Sequence, residues 1–109
     1  MRNTTHNQAV AEVESIGARV RRQRLAMEMT QRELAQRVGV GVPHISKIEA
    51  GRESPSDGLL VRLAEVFDVD PDELFLVARR LPETLVEKFA VDPAGAASYL
   101  RRWKAPKTR

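Results

Sequence analysis

Cysteine is absent from the chain, and with it go disulfides, thiolate zinc sites and thiol nucleophiles. Imidazole is scarce as well. His6 and His44 are the only histidines, so a metal site would have to be built mainly from carboxylates, and no ligand set with metal spacing is visible. No metal and no cofactor are therefore expected, and without a nucleophile–base pair the chain does not read as an enzyme. No run of about 18 apolar residues is present, the minimum for a spanning helix. The opening residues MRNTTHNQAVAEVES lack the apolar centre of a signal peptide. The expected location is the cytoplasm, with no membrane partner. Period-two alternation of apolar and polar residues is missing too, as are internal repeats and low-complexity segments, so the fold expected is all-α.

What remains is 109 residues, 42% apolar and 30% charged, which suits one soluble domain with a single core. The net charge of +3 is modest but unevenly spread. Residues 1–55 carry nine Lys/Arg against six Asp/Glu, residues 56–80 three against six, and residues 81–109 six against three. A basic first half points to a polyanionic partner, although a charge cluster is by itself often only a solvated surface.

Helix signals run along the chain in short units. Ile16, Val20 and Met27 lie at helical spacing with Arg19, Arg21, Arg22 and Arg24 between them, predicting a helix over about 16–27. Thr30-Gln31-Arg32-Glu33 fits a capping box, and Leu34, Ala35 and Val38 follow on one face before Gly39 stops the helix. Next, Gly41 serves as cap, Val42 and Pro43 as the first helical positions, and Ile45 with Ile48 as the buried side of a helix over 42–49. Ser56 caps a fourth helix, about 57–67, whose Leu59, Leu60, Val61, Leu63, Ala64, Val66 and Phe67 make it apolar nearly all round. Asp70-Pro71-Asp72-Glu73 opens a fifth, through about Arg79. Leu81-Pro82 and Asp92-Pro93 open two more, about 82–90 and 94–103.

Two short helices joined by Gly39-Val40-Gly41 have the geometry of a helix-turn-helix. The residues IGARVRRQR, MTQRELAQRVGV, HISKIEAGRESPS and LLVRLAEVFDVDPDELF resemble the DNA-binding domain of the Xre family, that of phage lambda-type repressors and Cro proteins. The resemblance covers roughly 60 of 109 residues, from Ile16 to about Phe75. It implies a five-helix lambda-repressor-like bundle with two short C-terminal helices added. The organisation that follows is a flexible lead-in over 1–15, a helix-turn-helix domain over 16–78, a helical extension over 79–103 and a basic tail over 104–109.

Residue roles come with the resemblance. Gln31 would send its side chain or backbone amide to a DNA phosphate. Val42, Pro43, His44, Ser46 and Lys47 would face base edges or the flanking backbone, and Arg52 would meet phosphate. Arg24 and Glu49 would form a largely buried ion pair between the first and third helices. In chemical terms Lys47 donates to guanine or phosphate, Ser46 pairs with several bases, and Val42 suits a thymine methyl. His44 is donor or acceptor according to its protonation. The segment departs from the family at Glu28, where glycine is common, and at Gly41, where Ser or Thr usually caps.

Some 34 residues follow Phe75, too few for a separate ligand-binding or protease domain. Their apolar residues, with Leu85, Phe89, Leu100 and Trp103 among them, need a surface to cover, and the expectation is dimerisation with partial packing inside the monomer. Two copies about 34 Å apart would strengthen a weak reading helix over a palindrome. The function implied is a sequence-specific regulator of transcription binding double-stranded DNA, a repressor of bacterial or phage origin acting as a homodimer. The alternatives are an antitoxin whose extension binds a toxin, a restriction-modification controller, and a protein-interaction module using the same fold.

Overall fold

Local cap chemistry decides where most of the helices begin. The computed structural model describes residues 13–106, so most of the expected lead-in and half of the basic tail lie outside the described residues. Among the described residues seven α-helices follow in chain order: α1 Ile16–Ala26, α2 Gln31–Val38, α3 Val42–Glu49, α4 Asp57–Phe67, α5 Pro71–Val77, α6 Glu83–Val91 and α7 Pro93–Arg102. No strand occurs among the described residues, and the fold is all-α.

Ser15 starts α1 by accepting from the Ala18 amide at 3.1 Å. At α2, Thr30 accepts from the Glu33 amide at 3.0 Å while Glu33 accepts from the Thr30 amide at 2.8 Å, so two otherwise orphan donors are satisfied reciprocally. Gly41 caps α3 without a side-chain bond, and Pro43 sits in the first turn, where its missing N–H leaves no gap in the ladder. Ser56 and Asp70 cap α4 and α5 through the Leu59 and Asp72 amides.

Several boundaries differ from the sequence pattern. Pro82 is itself the cap residue of α6, one place later than Leu81-Pro82 suggests. Asp92 caps α7 through the Gly95 amide, and Pro93 is already helical. α5 stops at Val77 because Arg79 turns to φ 60°, a left-handed conformation no helix continues through. Met27 is displaced as a core residue. It is the C-cap of α1 and 42% exposed, whereas Met29, beyond the turn, is 6% exposed and packs inside.

Helices α1 to α5 share one core. Val20 comes from α1, Leu34 and Val38 from α2, Ile45 and Ile48 from α3, Leu59, Leu60, Leu63 and Phe67 from α4, and Leu74 from α5. Each large side chain so buried contributes about 1.5–3 kcal/mol. α4 lies against α1, α2 and α5, which is why its sequence is apolar on several sides. α1 approaches α3 closely at Gly17, where an added Cβ would stand 2.3 Å from the Ile48 carbonyl oxygen. Only a residue without a side chain allows that crossing.

A clamp of charges fixes the start of α1. Glu14 accepts from Arg22 at 2.7 and 3.0 Å and from Arg19 at 2.9 Å, and Arg19 also donates to Glu73 at 2.7 Å. The Arg22 hydrogen bonds, with those of Arg19 and both charges, hold the Glu14 carboxyl down at about 2 against a weaker upward push from burial. Of the arginines spaced along α1, Arg19 and Arg22 are paired, while Arg21 is exposed.

The C-terminal helices do not cover α4. α6 and α7 pack against each other, and neither buries a single residue. Polar docking onto the bundle runs through the connection and the first turn of α6. There Arg80 donates to Asp57 at 2.9 Å and Ser54 at 2.6 Å, Thr84 donates to Asp72 at 3.1 Å, and Pro82 is buried. α1, α2 and α5 cover the apolar faces of α4, and its remaining side, with Val61, Arg62 and Glu65, stays exposed. The hairpin is left with an apolar groove of about 350 Å³ lined by Leu76, Leu81, Leu85, Phe89, Tyr99, Leu100 and Trp103.

Candidate nucleic-acid interface

The turn Gly39-Val40-Gly41 sets α3 across the end of α2 and holds it from the inside. Ile45 and Ile48 are fully buried. Beside them Glu49 is 3% exposed and Arg24 8%, with Arg24 Nε donating to one carboxylate oxygen at 2.7 Å and Nη2 to the other at 3.0 Å. Arg24 also donates to the Met29 carbonyl at 2.8 Å. Burial pushes the Glu49 carboxyl up, but the hydrogen bonds from Arg24 and Gln31 and the Arg24 charge together hold it below the usual glutamate value. The Arg24 hydrogen bonds to Glu49 raise Arg24 further above the range in which it would lose its proton. The result is a planar two-pronged pair joining α1 to α3.

The outer face of α3 is what this anchoring leaves. Pro43 and Lys47 are exposed, and Val42, His44 and Ser46 are half-buried. Val42 also packs against the core, so one of its sides is unavailable to a ligand. After α3 the chain folds back through Gly51 at φ 79°, and the amides of Arg52 and Glu53 both donate to the Lys47 carbonyl, at 2.9 and 3.3 Å. Arg52 thereby lies exposed beside the end of α3. Neither Lys47 nor Arg52 has an ion-pair partner among the described residues.

Gln31 is more constrained than its place at the start of α2 suggests. Its side-chain amide donates to Glu49 at 3.1 Å, which leaves its second N–H and the backbone N–H of the first helical turn as possible donors. His44 is also engaged, with Nδ1 2.7 Å from a Glu53 carboxylate oxygen.

Sequence reasoning missed three contributors. Glu53 carries no local signal, because only the backward fold at Gly51 brings it onto α3. Gly17 sits inside a helix with no local reason to be glycine, and that anomaly was its signal. Arg62, on α4, donates to the Val38 carbonyl at 2.8 Å and so satisfies the open end of α2; unpaired carbonyls at a helix end always require some such donor.

The geometry is that of a recognition helix presented by its neighbours. A helix-turn-helix family profile matches residues 20–74, from within α1 to the middle of α5. An uncharacterised HTH-type transcriptional regulator of Sinorhizobium fredii is 36% identical over 87 residues, 80% of this chain and 42% of its own length; the chain thus spans less than half of that relative. The P22 c2 repressor, solved in complex with a synthetic operator, is 30% identical with a TM-score of 0.53, covering 56% of this chain and 92% of its own. The restriction-modification controller C.AhdI of Aeromonas hydrophila is 31% identical with a TM-score of 0.53, covering 60% and 98%. The chain belongs to the helix-turn-helix family of DNA-binding transcriptional regulators, of the Xre, lambda-repressor and Cro type.

Proposed function

We propose that the chain is a sequence-specific regulator that binds double-stranded DNA through the outer face of α3 and represses transcription by occupying an operator. One observation carries this reading. α3 is anchored from within by Ile45, Ile48 and the Arg24–Glu49 pair, while Lys47 and Arg52 stand exposed together without ion-pair partners among the described residues. Cations so placed suit phosphate and base edges. Pro43, His44 and Ser46 complete the reading face, with Val42 contributing from its outer side and Gln31 through its remaining N–H donors. The similarity to the P22 c2 repressor, which was solved on an operator, supports the same mode here.

We further propose a homodimer on a palindromic operator. The apolar face of the α6–α7 hairpin favours it, because Leu81, Val86, Leu100 and Trp103 are each about half exposed or more. Selection of bound duplexes from random DNA tests both proposals. An inverted repeat with half-sites about one helical turn apart is the expected result; recovery of no preferred sequence contradicts regulator and dimer together.

The same apolar face also suits a protein partner, as in an antitoxin holding a toxin. Purification from the native host with a stoichiometric small partner would favour that reading. The similarity to C.AhdI supports a restriction-modification controller as a variant of the same DNA-binding activity.

A further inference from the structure

Glu53 belongs to no cap and no core contact, yet its carboxylate meets the ring of His44 nine positions earlier in the chain. The meeting is set by backbone geometry. Gly51 takes φ 79°, and the amides of residues 52 and 53 both return to the Lys47 carbonyl, which curls the loop back along the outward side of α3. A side chain at position 53 then lies beside one at position 44. The His44 side chain is 35% exposed and that of Glu53 45%, so the pair sits on the surface that the proposed function turns towards DNA.

From this geometry we infer that Glu53 is a positioning residue for His44 and makes it a reader of a base edge. A free histidine offers either ring nitrogen as donor and the other as acceptor. With Nδ1–H donated to the carboxylate, Nε2 alone is left for a ligand, and the tautomer of the neutral ring is no longer a choice. In that form Nε2 accepts, as from the amino group of adenine or cytosine; in the charged ring it donates, as to guanine. The carboxylate also opposes a phosphate at the same ring, since two anions would then crowd one imidazole. His44 thereby contributes discrimination where Lys47 and Arg52 contribute attraction.

This inference rests on the reading of α3 as the DNA-contacting helix. The test measures affinity for a selected duplex and for duplexes altered one base pair at a time, using the parent chain, His44→Ala, Glu53→Ala, Glu53→Gln and the His44→Ala/Glu53→Ala double variant. His44→Ala and Glu53→Ala should each lose about tenfold in discrimination at the same base pair, and the double variant should lose no more than either. Glu53→Gln keeps an oxygen able to accept from Nδ1 and should retain most of the preference. The salt dependence of binding should be the same for His44→Ala as for the parent, because no phosphate contact is removed. Neither side chain is buried in the core, so unchanged melting temperatures should accompany these effects.

The inference is overturned if Glu53→Ala raises affinity for every duplex equally, if it relaxes a base pair that His44→Ala leaves untouched, or if it changes nothing. A parent chain that prefers no duplex at all overturns the DNA reading itself, and this inference with it.

Discussion

Arg24 and Glu49, 25 residues apart in sequence, meet through two hydrogen bonds of 2.7 and 3.0 Å beneath the helix-turn-helix. Removing one partner strands the other charge out of water. Glu49→Ala should therefore cost about 3–5 kcal/mol in unfolding free energy, measured by chemical denaturation. The Glu49 carboxyl is held below its ordinary value, so its contribution is complete above the unfolded glutamate value and fades as pH falls through the folded one. The gap between the parent and Glu49→Gln should accordingly be widest near neutrality and narrow in acid. A gap that does not change with pH contradicts the buried pair.

The close crossing of α1 and α3 makes Gly17 irreplaceable. The atom a new Cβ would strike is the backbone carbonyl of Ile48, which cannot swing aside as a side chain would. Gly17→Ala should destabilise by about 3 kcal/mol and should also weaken DNA binding, because α3 must shift to make room. Thermal unfolding and duplex affinity of the variant check both effects.

Glu28 occupies the turn between α1 and α2 at φ 57°, a region that side chains enter at a cost of roughly 1–2 kcal/mol. Glu28→Gly should raise stability by about 0.5–1 kcal/mol after the added entropy of the unfolded chain is counted. Glu28→Val should lower it. Denaturant midpoints at constant slope decide, and a loss of stability on Glu28→Gly would show that the Glu28 side chain makes a compensating contact.

What could be read in the sequence was mostly local chemistry. The Thr30–Glu33 box, the Gly41-Val42-Pro43 start and the Asp70-Pro71 cap act within four residues, so their patterns survive without a structure. The Arg24–Glu49 pair was nameable only through resemblance, since no spacing rule links two helices 25 residues apart. Met27 and Met29 could not be ranked, because the choice between them depends on how the turn at Glu28 swings. The pairing of Glu53 with His44, the Gly17 crossing and the detachment of the α6–α7 hairpin are tertiary facts. Each depends on how separate elements are placed in space.

The hairpin gives its own prediction. Leu100 is 53% exposed and lines the apolar groove with Phe89 and Trp103. If a second copy covers this face, Leu100→Glu should convert the protein from dimer to monomer in sedimentation experiments while leaving the melting of the α1–α5 bundle within about 0.5 kcal/mol of the parent. It should also weaken operator binding by about a hundredfold, the loss expected when two linked contacts become one. A monomeric parent chain contradicts the dimer.

The central claim, that the outer face of α3 and the loop after it meet DNA, is tested most directly by the salt dependence of duplex binding. Affinity of the parent, Lys47→Ala, Arg52→Ala and Arg101→Ala should be measured from low to moderate salt. Lys47→Ala and Arg52→Ala should each weaken binding, and a lost phosphate contact should lower the slope of log affinity against log salt by about one. Arg101→Ala, on the hairpin, should match the parent. Parent-like behaviour of both Lys47→Ala and Arg52→Ala would contradict the account.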